Sequence, residues 1–241
     1  MAGLLISVCD ADEAQLALEG GADLIDVKQP RGGALGAPSP RALAAVSRTV
    51  RGRVPLSVAM GELGESVDRS SLLSIRGVVF AKVGLAEAGA DWRQRWMSLI
   101  AQFPPHVQPV AVAYADQARA RSPSPEEVLA VAARVGCQAL LVDTYCKDGG
   151  GLLDWMPLRD LGDLLKEAQD LGLLAVVAGS LDVLAVERVL KLQPDYVAVR
   201  GAACAGGRTG RVELKRVRRL AGMVRAATVD RLWERGGAIT V

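Results

Sequence analysis

Eight short apolar, β-branched runs set the rhythm of this chain: "LLISV", "DLIDVK", "PLSVAM", "VVFAKV", "PVAVAYA", "ALLVDT", "LAVVAG" and "DYVAVR". They end near Val8, Lys28, Ala59, Val83, Tyr114, Thr144, Ala178 and Arg200, about every 20 to 35 residues, the period of a strand-loop-helix-loop unit. Helical patterns lie between them. Ser39-Pro40 and Ser124-Pro125 read as helix starts, since Ser caps and Pro fits the first helical position, and Gly136 and Gly172 read as stops. Eight such units in 241 residues predict an α/β fold of the (β/α)8 TIM-barrel type, which needs roughly 250 residues. A doubly wound open sheet is the alternative. It is disfavoured because the first strand runs into "SVCDADEA" and not into a G-x-G-x-x-G turn. Residues 1–225 are expected to form one barrel and 226–241 a C-terminal tail.

In such a barrel the C-terminal strand ends carry the site, because the loops that follow them form the catalytic face. Polar and charged residues stand at those ends in strands that are otherwise apolar: Asp26 and Lys28 on the second, Lys82 on the fourth, Tyr114 and Asp116 on the fifth, Asp143 on the sixth, and Arg200 on the eighth. Asp26 and Lys28 are two apart and share a face. Lys82 and Asp143 come from other even-numbered strands, which contribute to common layers inside the barrel. Repulsion between ammonium groups and partial desolvation lower a lysine pKa and expose an amine able to attack a carbonyl, whereas the carboxylates act the other way. Which lysine is neutral stays open at this level. Lys147 and Asp148, in the loop "KDGGG", are further candidates; a solvated loop pair explains them as well.

Two small-residue turns follow the seventh and eighth strands, "AGS" at 178–180 and "RGAACAGGR" at 200–208. Barrels use these loops to hold a phosphate through backbone N–H groups. Gly179, Ser180, Arg200, Gly201, Ala202, Gly206 and Gly207 are therefore the expected phosphate-binding set, and a phosphorylated small molecule the expected partner. Arg208 can assist them. The basic stretch of Arg208, Arg211, Lys215, Arg216, Arg218 and Arg219 reads as a solvated helix face and not as a nucleic-acid site, because no aromatic residues interleave to stack bases.

Composition narrows the chemistry. A single histidine, His106, sits in the Pro-flanked connection "FPPHVQP", which argues against a histidine triad and a His-rich metal site. The four cysteines, Cys9, Cys137, Cys146 and Cys204, are scattered and read as structural thiols. Neither a metal nor a cofactor is expected. Apolar runs fall short of the roughly 18 residues of a membrane span, and Leu4 to Val8 lacks the flank of a signal peptide. A cytoplasmic protein without membrane partners is the expectation, and a homo-oligomer is compatible with it. Trp92, Trp96 and Trp155 read as packing residues.

"GGADLIDVKQP", "AKVG", "AYAD", "LLVDT" with Lys147-Asp148, "AGS" and "VRGAACAGG" occur in one order along Leu4 to Leu220. In this the chain resembles the (5-formylfuran-3-yl)methyl phosphate synthase family of methanofuran biosynthesis. The resemblance implies a lyase that condenses two glyceraldehyde 3-phosphate molecules into a furan aldehyde phosphate, with loss of one phosphate and two waters. It further implies a Schiff-base lysine at Lys28, a proton acceptor at Lys82, and supporting roles for Asp26, Asp143 and Lys147. Gln29, where the family pattern has Asn, and the glycine-rich loop after Asp148 depart from it. The lysines and phosphate loops alone would equally allow a Schiff-base aldolase for another sugar phosphate, or a non-catalytic barrel that binds a phosphorylated metabolite.

Overall fold

The computed structural model describes residues 2–148 and 150–236, with side chains described as far as residue 227. Eight parallel strands close on themselves: β1 (Gly3–Val8), β2 (Leu24–Val27), β3 (Leu56–Glu62), β4 (Val78–Gly84), β5 (Gln108–Tyr114), β6 (Ala139–Asp143), β7 (Leu174–Val177) and β8 (Tyr196–Val199), with β8 pairing back onto β1. This is the (β/α)8 barrel the strand rhythm predicts. Between the strands run α1 (Ala11–Gly20), α2 (Pro40–Val50), α3 (Arg69–Leu73), α4 (Trp92–Ile100), α5 (Gln117–Ala120), α6 (Pro125–Ala132), α7 (Leu152–Trp155), α8 (Leu158–Asp170) and α9 (Val183–Leu190). A short antiparallel hairpin, β9 (Cys204–Ala205) with β10 (Arg211–Val212), precedes α10 (Leu214–Gly236). The tail expected from residue 226 thus begins inside α10, and its residues 237–241 lie outside the described residues. No helix among the described residues is long and apolar enough to cross a membrane.

The helix starts follow local chemistry. Ser39 accepts the Ala42 N–H ahead of Pro40, and Ser124 forms a capping box with Glu127 ahead of Pro125. Gly136 and Gly172 both take positive φ just beyond helices.

Strand alternation sorts the apolar residues into two cores. Outward-facing Leu4, Ile6, Ile25, Val58 and Leu140 pack under the helices with Leu43, Leu129 and Leu161. Inward-facing Leu5, Leu24, Val110, Val112, Leu141 and Val176 fill the barrel itself, with Phe80, Leu174 and Tyr196 at their margin. Burying each such side chain contributes about 1.5–3 kcal/mol, so the interior is a packed plug. α10 closes the shell against α1 at Gly20, where a Cβ would collide with Val217. Trp92 and Trp96 are buried as expected. Trp155 is not a packing residue: it is 36% exposed and lies under the Arg119 guanidinium.

Candidate active site

The charged cluster grows from the same alternation. Asp26 points inward from β2, level with Ser7 of β1 and Ser57 of β3. Lys28 follows on the same face, Lys82 enters from β4, Asp143 from β6, and Lys147 from the loop after β6. All five line one cavity of about 420 Å³ together with the loops after β7 and β8.

Pairing within the cluster is uneven. Lys82 Nζ donates to Asp26 Oδ1 at 2.6 Å and to Ser57 Oγ at 3.5 Å, while Ser7 Oγ donates to Asp26 Oδ2 at 3.1 Å. Lys147 Nζ donates to Asp143 Oδ1 at 2.7 Å and to Thr144 Oγ1 at 3.3 Å. The Lys28 ammonium has neither a hydrogen bond nor an ion pair among the described residues.

This unevenness separates the protonation tendencies. Burial pulls the Lys28 amine down to about 8; Asp143 and Asp26 oppose that pull, and the Lys147 and Lys82 ammonium groups reinforce it. Burial alone would raise the carboxyls of Asp26 and Asp143. Lys82 and Lys28 outweigh it at Asp26, Lys147 and Lys28 at Asp143, and both carboxyls stay below their ordinary values. Of the three cavity lysines, Lys28 is the one without an acid partner among the described residues, and burial draws its amine toward the neutral form.

Opposite the lysines, the cavity wall is polar backbone. Gly179, Ser180, Gly201 and Ala202 line it, and their N–H groups make no hydrogen bond among the described residues. Gly179 and Ser180 both take positive φ, 100° and 50°, and at Gly179 a Cβ would press on Leu152 and Thr144. Four backbone donors without a protein partner among the described residues, on residues that line one cavity, are what an anion site requires.

Three expectations about this wall need correction. Arg200 lines the cavity but spends its guanidinium within the protein: it donates to Glu13 through both terminal nitrogens, and to the carbonyls of Ser7, Arg208 and Gly210. Glu13 in turn accepts the N–H groups of Cys9 and Val212. This buried pair knots the β1 and β8 ends to the β9–β10 hairpin and leaves no donor for a ligand. Gly206 and Gly207 turn the tip of that hairpin, both at positive φ, and do not line the cavity. Arg216, read from the sequence as part of a solvated helix face, lines it, and so does Arg208, for which the sequence also offers a supporting place beside the phosphate. Arg208 is half-buried without an acid partner among the described residues, and donates to the Gly33 carbonyl at 2.8 Å.

Sequence reasoning also missed Glu62, which forms a buried pair with the strand-end Tyr114 from β3 to β5 across the end of β4. Tyr114 Oη donates to Glu62 Oε1 at 2.6 Å, and Glu62 Oε2 accepts the Ala86 N–H at 2.9 Å. Burial raises the Glu62 carboxyl and pushes the Tyr114 hydroxyl well above its ordinary value. A Cβ at Gly84 would collide with both. The visible signal is Gly61, at positive φ where the β3–β4 register breaks, which turns Glu62 toward the barrel. Among the described residues no group of three His, Cys, Asp or Glu side chains could hold a metal ion.

A family model described as 4-HFC-P synthase matches residues 4–221, nearly the whole barrel. The chain belongs to that family. Among curated members, the (5-formylfuran-3-yl)methyl phosphate synthase of Methanosarcina mazei is 31% identical, the match covering 90% of this chain and 97% of the other. The protein of that name in Methanopyrus kandleri is 34% identical over the same shares. The 4-HFC-P synthase family is thus a family of enzymes, and the lysine-lined cavity falls inside the matched span. Solved structures bear on the fold alone. Phosphoribosyl anthranilate isomerase from Thermotoga maritima superposes with a TM-score of 0.65 at 16% identity, covering 94% of this chain and 100% of that one. Thiamine phosphate pyrophosphorylase from Pyrococcus furiosus gives 0.64 at 18% identity, covering 93% and 95%.

Proposed function

We propose that this enzyme condenses two molecules of glyceraldehyde 3-phosphate to (5-formylfuran-3-yl)methyl phosphate, releasing one phosphate and two waters, in the making of a methanofuran-type cofactor. Lys28 supports this reading most directly: an unpaired, half-buried amine with its pKa drawn to about 8, in a cavity whose other lysines are matched to carboxylates.

The Lys28 amine attacks the aldehyde of one triose, and loss of water gives an iminium. The iminium acidifies the adjacent C–H, and the enamine formed on loss of that proton expels the C3 phosphate. The enol carbon so freed attacks the second triose, isomerised to its ketone, at C2. Ring closure with loss of water, followed by hydrolysis of the imine, gives the furan aldehyde, two waters being released overall. Proton transfers fall to groups already in place: Lys82 with Asp26 on one side of Lys28, Lys147 with Asp143 on the other. The unspent N–H groups of Gly179, Ser180, Gly201 and Ala202 suit one phosphoryl group, and Arg208 supplies the wall's unpaired cation. Two substrates with a phosphate each account for a mouth this rich in donors. A phosphorylated small molecule is accordingly the partner, and neither nucleic acid nor a membrane is needed.

Borohydride reduction in the presence of glyceraldehyde 3-phosphate, read by mass spectrometry, tests this. The expected result is a single adduct on Lys28 together with a furan chromophore formed from that substrate alone. An adduct without the chromophore would point to a Schiff-base aldolase for another sugar phosphate. Absence of any adduct at saturating substrate would sink both lysine readings and leave a phosphometabolite-binding barrel.

A further inference from the structure

Asp116 follows β5 and stands at the N-cap position of α5, yet its carboxylate does not cap that helix. Both oxygens reach instead to the loop after β6: Oδ1 accepts the Tyr145 N–H at 2.7 Å and Oδ2 the Cys146 N–H at 2.8 Å. Asp116 is 2% exposed, and charge-assisted bonds in dry surroundings hold firmly. Two further contacts tie the same seam. Ala115 N–H donates to the Asp143 carbonyl at 2.9 Å, and the Tyr145 ring meets Tyr114 edge-on at 5.5 Å between centroids.

The residue after this double anchor is Lys147, whose ammonium turns back onto the Asp143 carboxylate. Residues 143–147 therefore form an arch with both feet at the charged cluster and its crown pinned by a carboxylate from the neighbouring strand. We infer that Asp116 is a positioning residue: by pinning this arch it holds Lys147 on Asp143 and keeps Asp143 from pairing with Lys28. The inference rests on the reading of Lys28 as the Schiff-base lysine.

The consequence follows from the charges around Lys28. Asp26 lies on its own strand, Lys82 on β4, Asp143 on β6 and Lys147 on the arch; the flanking strands β1 and β3 bring the uncharged Ser7 and Ser57, and Arg208 stands across the cavity. While the arch is pinned, the Lys147 ammonium occupies Asp143 and repels a proton on Lys28. Released, Asp143 becomes an open partner for Lys28 and the repelling cation moves away. Both changes tighten the proton on Lys28.

The test is the pH dependence of borohydride trapping of glyceraldehyde 3-phosphate on Lys28, in the unaltered chain, Asp116→Asn, Lys147→Met and the double variant. Asn offers one acceptor and turns an NH2 group toward the second N–H. The trapping midpoint should move up by about one pH unit in Asp116→Asn, roughly a tenfold loss of neutral amine below the midpoint. Lys147→Met should shift it the same way, and the double variant no further than the larger single shift. Asp116→Glu, which keeps both acceptors one methylene out of place, serves the same comparison if the Asn variant does not fold. An unmoved midpoint, or additive shifts, would overturn the positioning role while leaving Lys28 as the nucleophile. Failure of the unaltered chain to form any adduct would instead overturn the Schiff-base reading and this inference with it.

Discussion

Two charge clusters sit side by side at the barrel mouth and are finished differently. At the β8–β1 seam, Arg200 and Glu13 satisfy each other, and the remaining donors and acceptors go to backbone groups of three segments. On the even strands, Lys82 and Lys147 each hold a carboxylate, while Lys28 stands between the pairs with none. The two clusters use the same residue types at similar depth. Saturation makes the first a strut, and the one vacancy in the pairing of the second is what the proposed chemistry requires, because an unmatched, half-buried ammonium gives up its proton more easily.

Four measurements would break or sharpen that contrast, in descending size of effect. Lys28→Met should lower turnover by at least about 10³-fold, as removal of a covalent nucleophile does; steady-state assays with glyceraldehyde 3-phosphate check it, and a variant that keeps full turnover would move the nucleophile elsewhere. Arg200→Met leaves Glu13 charged and buried, and urea unfolding should register a loss of about 3–5 kcal/mol, much of it restored in Glu13→Leu/Arg200→Met. If the strut reading is right, the loss is in stability first and in catalysis only through the loops.

The third measurement sets stability against function. The Lys28 amine titrates at about 8 in the folded chain against an ordinary 10.5, so between those values the unfolded chain binds more protons and stability climbs with pH. Below about pH 8 both states are charged and the folded one bears the full penalty, about 3 kcal/mol. Lys28→Met should therefore be more stable than the unaltered chain at pH 7 by up to that amount, and the gap should close toward pH 10.5. Equal melting curves at both pH values would show that the site bears no such strain. The smallest effect is at Arg208. Arg208→Gln should raise KM for the phosphorylated triose about tenfold, the worth of roughly one hydrogen bond to a charged group, and leave KM for unphosphorylated glyceraldehyde nearly unchanged.

The contrast also marks how far the sequence can be read. The barrel and its lysines are legible because inward positions recur every second residue and a charge at such a position breaks an apolar run, as Asp26, Lys82 and Asp143 each do. The Arg200–Glu13 strut is not. Glu13 lies on α1, 187 residues from its partner, and nothing local sets it apart from the exposed acids around it. Arg200 was thus taken for a ligand-binding cation on position alone. Gly206 and Gly207 look like any anion-binding glycines until the hairpin they turn is seen. Glu62 was hidden for another reason: the register break at Gly61 takes it out of the simple alternation. Arg208 showed its charge in the sequence but not its direction across to Gly33.

The apolar plug inside the barrel has a consequence for traffic. Leu5, Leu24, Val110, Leu141 and Val176 lie beneath the charged residues around a gap of only about 30 Å³, room for a water or two, so nothing the size of a sugar phosphate reaches the chamber from below. On the proposed reaction, both trioses would then enter, and the furan would leave, through the same upper mouth.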